Sequence, residues 1–197
     1  IDEAVGYTDV ERGVDIHIMP SDQFRITFMI DYEFQTLGAQ FTTLDQVEKK
    51  FATEIAPART FCFLSEVETL KENGLIKGGN LDNAVVIVDK DIDQTEAATL
   101  KKLFGINKEI SLGANGTLNG KELRFTNEPV RHKALDLIGD LALLGMPIQG
   151  HVIASKSGHA ANVELVKRIK KVYEKKILQQ KYQNSAHKDS VFDINAI

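Results

Sequence analysis

The stretch RHKALDLIGD, residues 131–140, predicts a helix around which the rest of the chain can be arranged. Its His132, Asp136 and Asp140 are four residues apart, so their side chains are rotated by only about 40° from one to the next and share one stripe. The residues between them are mostly apolar. A carboxylate buried among them without a partner would cost several kcal/mol. We therefore expect a cation beside this stripe.

The stripe has two interpretations. Imidazole nitrogens and carboxylate oxygens are both zinc ligands, and His132 and Asp136 have the spacing at which two side chains meet on one helix. The same pattern is short enough to arise by chance. Asn127 and Pro129 have the positions of a helix cap and a first-turn proline, which would make His132 and Asp136 an exposed ion pair on an early turn. Spacing alone leaves both interpretations open.

Composition limits the class of protein. The chain has 197 residues, of which 43% are hydrophobic and 26% charged, with a net charge of −4. This suits one domain with a sizeable core, with or without an appendage. The negative charge and the lack of interleaved basic and aromatic residues argue against nucleic acid as a partner. No apolar run reaches the ~20 residues of a membrane span and no signal peptide is recognisable. We expect a cytoplasmic protein that is not transmembrane, and a position at the inner-membrane surface stays open.

Two other features have plain explanations. Cys62 lies between Phe61 and Phe63, and we predict that it packs as a small apolar group whose neighbours raise the pKa of the thiol. The basic run over 167–176 alternates with apolar residues at helical spacing and predicts a solvated helix face. Contact with an anionic lipid or a diphosphate is the alternative for that run.

Hydrophobic periodicity predicts a mixture of strands and helices. The alternating segments 14–19 and 24–32 predict a hairpin across the turn residues 20–22. Strands over 60–63 and 84–88, joined by a helix, predict a parallel βαβ unit. Because strands and helices do not strictly alternate, the pattern favours an α+β fold of sheet and helix layers. The other predicted elements are a strand over 40–43, a helix capped by Asp45 with Val47, Phe51 and Ile55 on one side, the βαβ helix over 64–73, a helix over 95–104, strands over 123–125 and 152–154, and a helix over 160–182.

Five motifs occur in the order of a known family. They are Ala58-Arg59-Thr60-Phe61, Gly78-Gly79-Asn80-Leu81-Asp82-Asn83-Ala84, the helix from His132 to Asp140, Gly150-His151, and Lys156-Ser157-Gly158-His159-Ala160. Together they resemble the second domain of the bacterial zinc-dependent UDP-3-O-acyl-N-acetylglucosamine deacetylases, which take the committed step of lipid A synthesis. The resemblance implies a two-layer sheet-and-helix sandwich, with a mainly antiparallel sheet and an inserted parallel βαβ unit. Residues 89–120 depart from the family, which crosses this gap with a shorter connection.

The resemblance also implies roles for individual residues. His132 and Asp136 would be zinc ligands, and His159, paired with Asp140, would be the general acid. Thr60 would help to hold the oxygen that develops negative charge. Substrate contacts would come from Lys133 and from an apolar passage for the acyl chain, lined by Phe61, Phe63, Val67, Leu81 and Ala84.

Each of these assignments has a structural alternative. His159 could simply cap or pack at a helix start, where the helix dipole disfavours a cation. The Thr60 hydroxyl could bond to local backbone. Lys133 could be solvated, and the residues of the apolar passage could be ordinary core.

Part of the family's machinery is missing from this sequence. In the family the third zinc ligand is a histidine preceded by a glutamate, which is the base, and none of the five histidines here follows a glutamate. We therefore expect an upstream first domain to supply both residues, and we expect this chain alone to be inactive.

The two ends of the chain suggest a piece of a longer protein. The chain begins at Ile1 without a methionine. We assign residues 1–183 to the second domain of the deacetylase and residues 184–197 to a polar linker and the start of a following domain. Residues 193–197 resemble the beginning of the beta-hydroxyacyl-acyl-carrier-protein dehydratases, which some bacteria carry fused behind this deacetylase.

The resemblance thus implies zinc-dependent hydrolysis of the acetamide of UDP-3-O-(3-hydroxyacyl)-N-acetylglucosamine to the free amine and acetate. The expected cofactor is Zn²⁺, and the expected partners are the substrate, the upstream domain and a fused dehydratase. The alternative is a non-catalytic binding or interaction domain with a partial metal site.

Overall fold

The computed structural model describes residues 1–32, 37–74, 76, 78, 80–107, 109–113 and 115–192. In these ranges the chain forms the strands β1 (Val5–Asp9), β2 (Val14–Met19), β3 (Phe24–Asp31), β4 (Ala39–Leu44), β5 (Thr60–Phe63), β6 (Ala84–Ile87) and β7 (Gly150–Ser155), and the helices α1 (Val47–Lys50), α2 (Val67–Glu72), α3 (Gln94–Phe104), α4 (Glu128–Leu141) and α5 (His159–Phe192). The expected start of a following domain at 193–197 lies outside the described residues.

Five strands form one sheet in the order β1-β2-β7-β3-β4. Neighbouring strands are antiparallel except β3 and β7, which confirms a mainly antiparallel sheet. The predicted hairpin between 14–19 and 24–32 is wrong, because β7 lies between β2 and β3. Two strand spacings are about 9–10 Å, a distance that the four residues 20–23 can span. β7, whose Val152 and Ala154 are fully buried, takes the middle position and pairs with both β2 and β3.

The sheet packs one face on α4 and α5, which gives the predicted two-layer sandwich. On α4 the buried positions Ala134 and Leu137 face this core, and a residue two positions away is rotated by about 200°. His132 and Asp136 therefore lie on the side of α4 that faces away from the sheet. The buried side chains between the layers include Ile16, Ile18, Ile26, Phe28, Ile30 and Val152 of the sheet and Val130, Ala134, Leu137, Leu141, Leu165, Val166 and Ile169 of the helices.

The βαβ unit is confirmed as a parallel pair of β5 and β6, connected through α2. One face of the pair carries Phe61 and Phe63 and packs on Tyr32. The other face carries Cys62 and packs on Val67 of α2. Residues 89–120, where the chain departs from the family, supply α3, which covers this second face.

Cys62 behaves as predicted, but for a different reason. Burial raises the pKa of its thiol to about 11, with smaller effects from Glu66 and Asp89. The side chains of Phe61 and Phe63 belong to the opposite face of the strand, since side chains alternate along it. The apolar neighbours of Cys62 are those of the α2 and α3 side instead.

Two predicted local features are wrong. Asp45 does not cap α1, whose N-cap position is Gln46 in the left-handed region (φ 55°), because the Asp45 carboxylate accepts a hydrogen bond from Arg25. Residues 123–125 do not form a strand. The backbone N–H of Arg124 donates instead to the buried carboxylate of Glu128, at 2.7 Å, so it is not available for pairing in a sheet.

α5 extends to Phe192, ten residues beyond the predicted end at Tyr182. Residues 183–190 are polar but contain no proline or glycine, so nothing in the sequence stops the helix there. The boundary between 183 and 184 stays a prediction. The basic residues of 167–176 are exposed, as expected for a solvated helix face.

Within the described residues, none of the helices is both long and apolar enough to cross a membrane.

Candidate metal centre and proton donor

α4 presents His132 between a backbone carbonyl and a carboxylate. The ring Nδ1 lies 3.2 Å from the carbonyl oxygen of Ala58, which can only accept, so Nδ1 carries the hydrogen of this bond. The other nitrogen, Nε2, then has its lone pair and lies 3.3 Å from Oδ1 of Asp136. Both side chains are less than one-fifth exposed. Two lone pairs at this distance repel unless a proton or a metal cation lies between them, so the pair fits either a shared proton or two ligands of a cation.

The described part of the chain brings no third potential ligand to this pair, since it contains no group of three His, Cys, Asp or Glu side chains able to hold a metal ion. His132 and Asp136 thus fit zinc as two of its donors and leave the rest of the coordination to other groups. Lys133 lies close to this pair. Its Nζ lies 3.5 Å from Oδ2 of Asp136, so its ammonium balances part of the charge of the carboxylate.

The second histidine of the site begins α5. Nδ1 of His159 lies 2.8 Å from Oδ2 of Asp140, and the ring is two-thirds exposed. An ionised carboxylate can only accept, so Nδ1 donates to it and the ring is held with Nε2 free to carry or lose a second proton. The structure therefore brings together His159 and Asp140, the two residues that the family resemblance paired.

Sequence reasoning missed the residue that holds Asp140. The side-chain amide of Asn162 donates to Oδ2 of Asp140 at 2.8 Å, and its own oxygen accepts from the Ser157 hydroxyl at 2.5 Å. Asn162 and Ser157 are almost fully buried. A signal was present, because Asn162 lies three residues after His159 and so on the same side of α5.

The start of β5 lies beside α4. Ala58 contacts His132, and Thr60 follows two residues later as the exposed first residue of β5. Within the described ranges the Thr60 hydroxyl makes no hydrogen bond, so the alternative of a local backbone bond is not seen.

Tyr32 is a further residue that the sequence did not single out. It follows β3 and packs edge-on against Phe61 and Phe63, with ring centroids 6.0 and 5.2 Å away. Burial raises the pKa of its hydroxyl, and the charges of Glu66 and Asp136 raise it further. Tyr32 thus lies against the aromatic face of the βαβ unit, near enough to Asp136 to be affected by its charge.

The residues predicted to line the acyl passage are divided between two faces. Phe61 and Phe63 lie on the Tyr32 side. Val67 and Leu81 pack on the Cys62 side, and Ala84 pairs with Thr60 in the register of β5 and β6. On the α2 and α3 side there is a groove of about 340 Å³, lined by Leu64, Val67, Leu100 and Leu103 and edged by Glu68, Lys71, Glu72 and Thr99.

A buried ion pair was also missed. Arg59 and Glu128 are 69 positions apart, and no spacing rule connects them. Glu128 lies in the Asn127-Glu128-Pro129 start of α4, which the sequence marked only as a helix start. The Asn127 side chain makes no capping bond there and instead contacts Phe41 and Arg131.

The described residues thus bring together the imidazole of His132 and the carboxylate of Asp136 and, one helical turn on, the imidazole of His159 held by Asp140. Comparison with known proteins gives the family. The family model described as LpxC, UDP-3-O-acyl N-acetylglycosamine deacetylase, matches residues 1–104 and 88–171. The chain belongs to the LpxC family.

Individual relatives agree with this assignment. The chain is 50% identical over 198 residues to a bifunctional enzyme LpxC/FabZ of Chlorobaculum tepidum, covering 100% of this chain and 42% of the relative. It is 37% identical to that of Porphyromonas gingivalis, covering 96% and 40%. It is 43% identical to a UDP-3-O-acyl-N-acetylglucosamine deacetylase of Leptospira biflexa, covering 77% and 42%. The chain therefore spans about two-fifths of the length of these relatives.

Proposed function

We propose that this chain is the second part of a zinc-dependent deacetylase that hydrolyses the acetamide of UDP-3-O-(3-hydroxyacyl)-N-acetylglucosamine to the free amine and acetate, in lipid A biosynthesis. The observation that supports this most is the 3.3 Å approach of Nε2 of His132 to Asp136, with Nδ1 of the same ring bonded to a carbonyl. That bond fixes the ring and leaves the right nitrogen for a metal. The family membership supplies the reaction class.

His132 and Asp136 would hold the zinc, and an upstream glutamate-histidine pair would supply the third ligand and the base. When bound, zinc polarises the amide carbonyl and makes water a stronger nucleophile at neutral pH. The other residues of the chain then have to bind the substrate, stabilise charge and move a proton.

His159 would donate the proton that the departing amine needs. Its Nδ1 is engaged by Asp140, so the proton leaves from the exposed Nε2. Asn162 holds Asp140 in place through a buried hydrogen bond.

Thr60 would donate its hydroxyl hydrogen to the carbonyl oxygen as that oxygen becomes negative. Its free hydroxyl and its position two residues after the contact between Ala58 and His132 support this role. Lys133 could contact a substrate hydroxyl or phosphate only by leaving Asp136, and binding of a cation to Asp136 would favour that movement.

The acyl chain would lie along the βαβ unit. The face that carries Cys62 runs from the pair of Thr60 and Ala84 towards Val67 and Leu81, and the groove beside α3 continues it. Each methylene buried there would contribute about 0.8 kcal/mol. Phe61 and Phe63 face the opposite side of β5, towards Tyr32, so they would contact the acyl chain only where it passes along that side. We further propose that a dehydratase domain follows, as the printed names of the bifunctional relatives suggest for those proteins.

A non-catalytic binding domain is the second candidate, favoured by the finding that the described residues bring only two ligands together. A mixing experiment separates the two. This chain, incubated with zinc and UDP-3-O-acyl-N-acetylglucosamine, should release no acetate, and a chelator should remove its zinc readily. Adding the preceding domain should produce acetate, and adding it to the His159→Ala chain should not. No turnover by the complete enzyme would favour the binding domain, and turnover by this chain alone would reveal a complete site within it.

A further inference from the structure

The buried pair of Arg59 and Glu128 joins the inserted βαβ unit, called the insert below, to α4. Nε and Nη2 of Arg59 each lie 2.9 Å from a different oxygen of Glu128. The backbone N–H of Arg59 donates to the same carboxylate at 2.9 Å, and that of Arg124 does so at 2.7 Å. Four donors therefore converge on one carboxylate that has no exposed surface.

The pair holds both ends of the insert at one point. Arg59 directly precedes β5, where the insert begins, and its Nη2 also donates to the carbonyl of Glu122 at 2.7 Å. Glu122 and Arg124 lie where the chain leaves the insert for α4. A buried ion pair is often no more stabilising than apolar residues of the same size, so stability alone does not account for it. Its geometry does fix how the insert is oriented on α4.

The orientation of the insert matters for the site because the residues on either side of Arg59 belong to it. Ala58, the residue before Arg59, accepts the hydrogen bond that selects the tautomer of His132. Thr60, the residue after Arg59, is the proposed donor to the developing negative charge. Glu128 lies one helical turn before His132 on the same face of α4.

We propose that Arg59 and Glu128 are positioning residues, which hold the Ala58 carbonyl on His132 and the Thr60 hydroxyl beside it as one unit. The effect on turnover rests on the proposed function. The effect on the His132 ring does not, because it follows from the hydrogen bonds alone. Without the pair, Ala58 is no longer held at Nδ1, and the neutral ring can place its hydrogen on either nitrogen.

The test compares variants of the complete enzyme. Glu128→Gln keeps the size of the side chain but turns one acceptor into a donor that faces Arg59 or Arg124. Glu128→Asp keeps the charge and serves as the conservative rescue. Leu165→Ala removes a fully buried side chain from the main core and leaves the hydrogen bonds of Arg59, Glu128 and His132 with their own partners, so it controls for lost stability.

The first measurement is the tautomer of His132 by ¹⁵N NMR of metal-free protein at about pH 8. This pH is above the ordinary side-chain pKa of a histidine, which is about 6.5. The His132 signals are assigned from their loss in His132→Gln. We expect the Nδ1–H form in the unmodified enzyme and in Leu165→Ala, a mixture of the two forms in Glu128→Gln, and partial return in Glu128→Asp. If Glu128→Gln does not fold, Arg59→Lys takes its place, since one ammonium cannot replace the two-pronged guanidinium contact.

The second measurement is deacetylation. We expect kcat of Glu128→Gln to fall by about 10–100-fold, as for other residues that orient metal ligands, with KM unchanged. An unchanged Nδ1–H form in Glu128→Gln would overturn the proposal, as would an equal shift in Leu165→Ala. An enzyme that shows the tautomer shift but never deacetylates the substrate would instead overturn the proposed function.

Discussion

Glu128→Gln should destabilise this chain far more than Asp45→Asn, although the second substitution breaks the shorter ion pair. Arg25 and Asp45 are 2.6 Å apart, but their side chains are 39% and 49% exposed. An exposed pair contributes about 0.2–1 kcal/mol, because water and salt screen it. Arg59 and Glu128 are 2.9 Å apart and only 4% and 1% exposed. Removing one charge there leaves the other buried, which costs about 3–5 kcal/mol.

The same comparison should depend on pH. Burial alone would raise the pKa of Glu128, but the hydrogen bonds from Arg59 and Arg124 outweigh it and hold this pKa below its ordinary value of 4.5. A carboxyl with a lowered pKa stabilises the fold above the unfolded value, and that stability is lost as the pH falls through the folded value. The stability gap between the unmodified chain and Glu128→Gln should therefore narrow below about pH 4.5.

The assay is urea unfolding followed by circular dichroism from about pH 7 to about pH 3, with Asp45→Asn as the matched control. A cost for Glu128→Gln of about 1 kcal/mol or less, similar to that for Asp45→Asn, would contradict the reasoning. So would a gap that stays constant across this pH range, because the charge of Glu128 would then not be its source.

Three further outcomes are expected. In the complete enzyme, His132→Ala should abolish stoichiometric zinc binding and deacetylation together, and survival of both by metal analysis and acetate release would remove His132 from the site. Asp140→Asn should lower kcat for deacetylation with little change in KM, because the His159 ring loses the carboxylate that holds it; an unchanged kcat would remove this pair from the acid role. Gly139→Ala should stabilise this chain by about 0.5–1 kcal/mol in urea unfolding, since Gly139 lies inside α4 and its Cβ would meet open space, whereas a loss of stability would show a contact that this geometry lacks.

The parts of the fold that depend on local pattern could be predicted from the sequence. The strand over 14–19 and the βαβ unit at 60–63 and 84–88 agree with the structure because alternation and turn residues are encoded within a few positions. The hairpin failed because pairing is decided by a third segment, 150–155, that lies far along the chain and pairs with both of the predicted hairpin strands. The end of α5 was placed too early, at Tyr182, because the residues that follow are hydrophilic, although 183–190 contain no helix breaker.

The candidate site divides in the same way. His132, Asp136 and Asp140 could be placed on one stripe because helical spacing is a local property. The contact of His159 with Asp140 was expected only through the family resemblance, and the structure provides it at 2.8 Å. Ala58 and Glu128 could not be found, because each acts through a contact made across the fold and neither has a local pattern.

The proposed metal ligand Asp136 and Asp140, which holds the proposed proton donor, lie on the same rigid helix, so the distance between these two sites is fixed. Asp136 and Asp140 are one turn apart on α4, which is about 6 Å along its axis. Ala134, Leu137 and Leu141 anchor the opposite side of that turn in the main core, so the separation cannot change without disturbing the packing of the sheet. A substrate amide would then lie along the helix, with its oxygen towards Asp136 and its nitrogen towards Asp140. The insert is held through Arg59 and Glu128, and it brings the carbonyl partner of the His132 ring to one end of this turn. α5 is held through Asn162, and it brings His159 to the other end. We therefore expect α4 to set the distance between the metal site and the proton donor, while the insert, through Ala58 and Thr60, sets the orientation of His132 and of the donor to the developing charge.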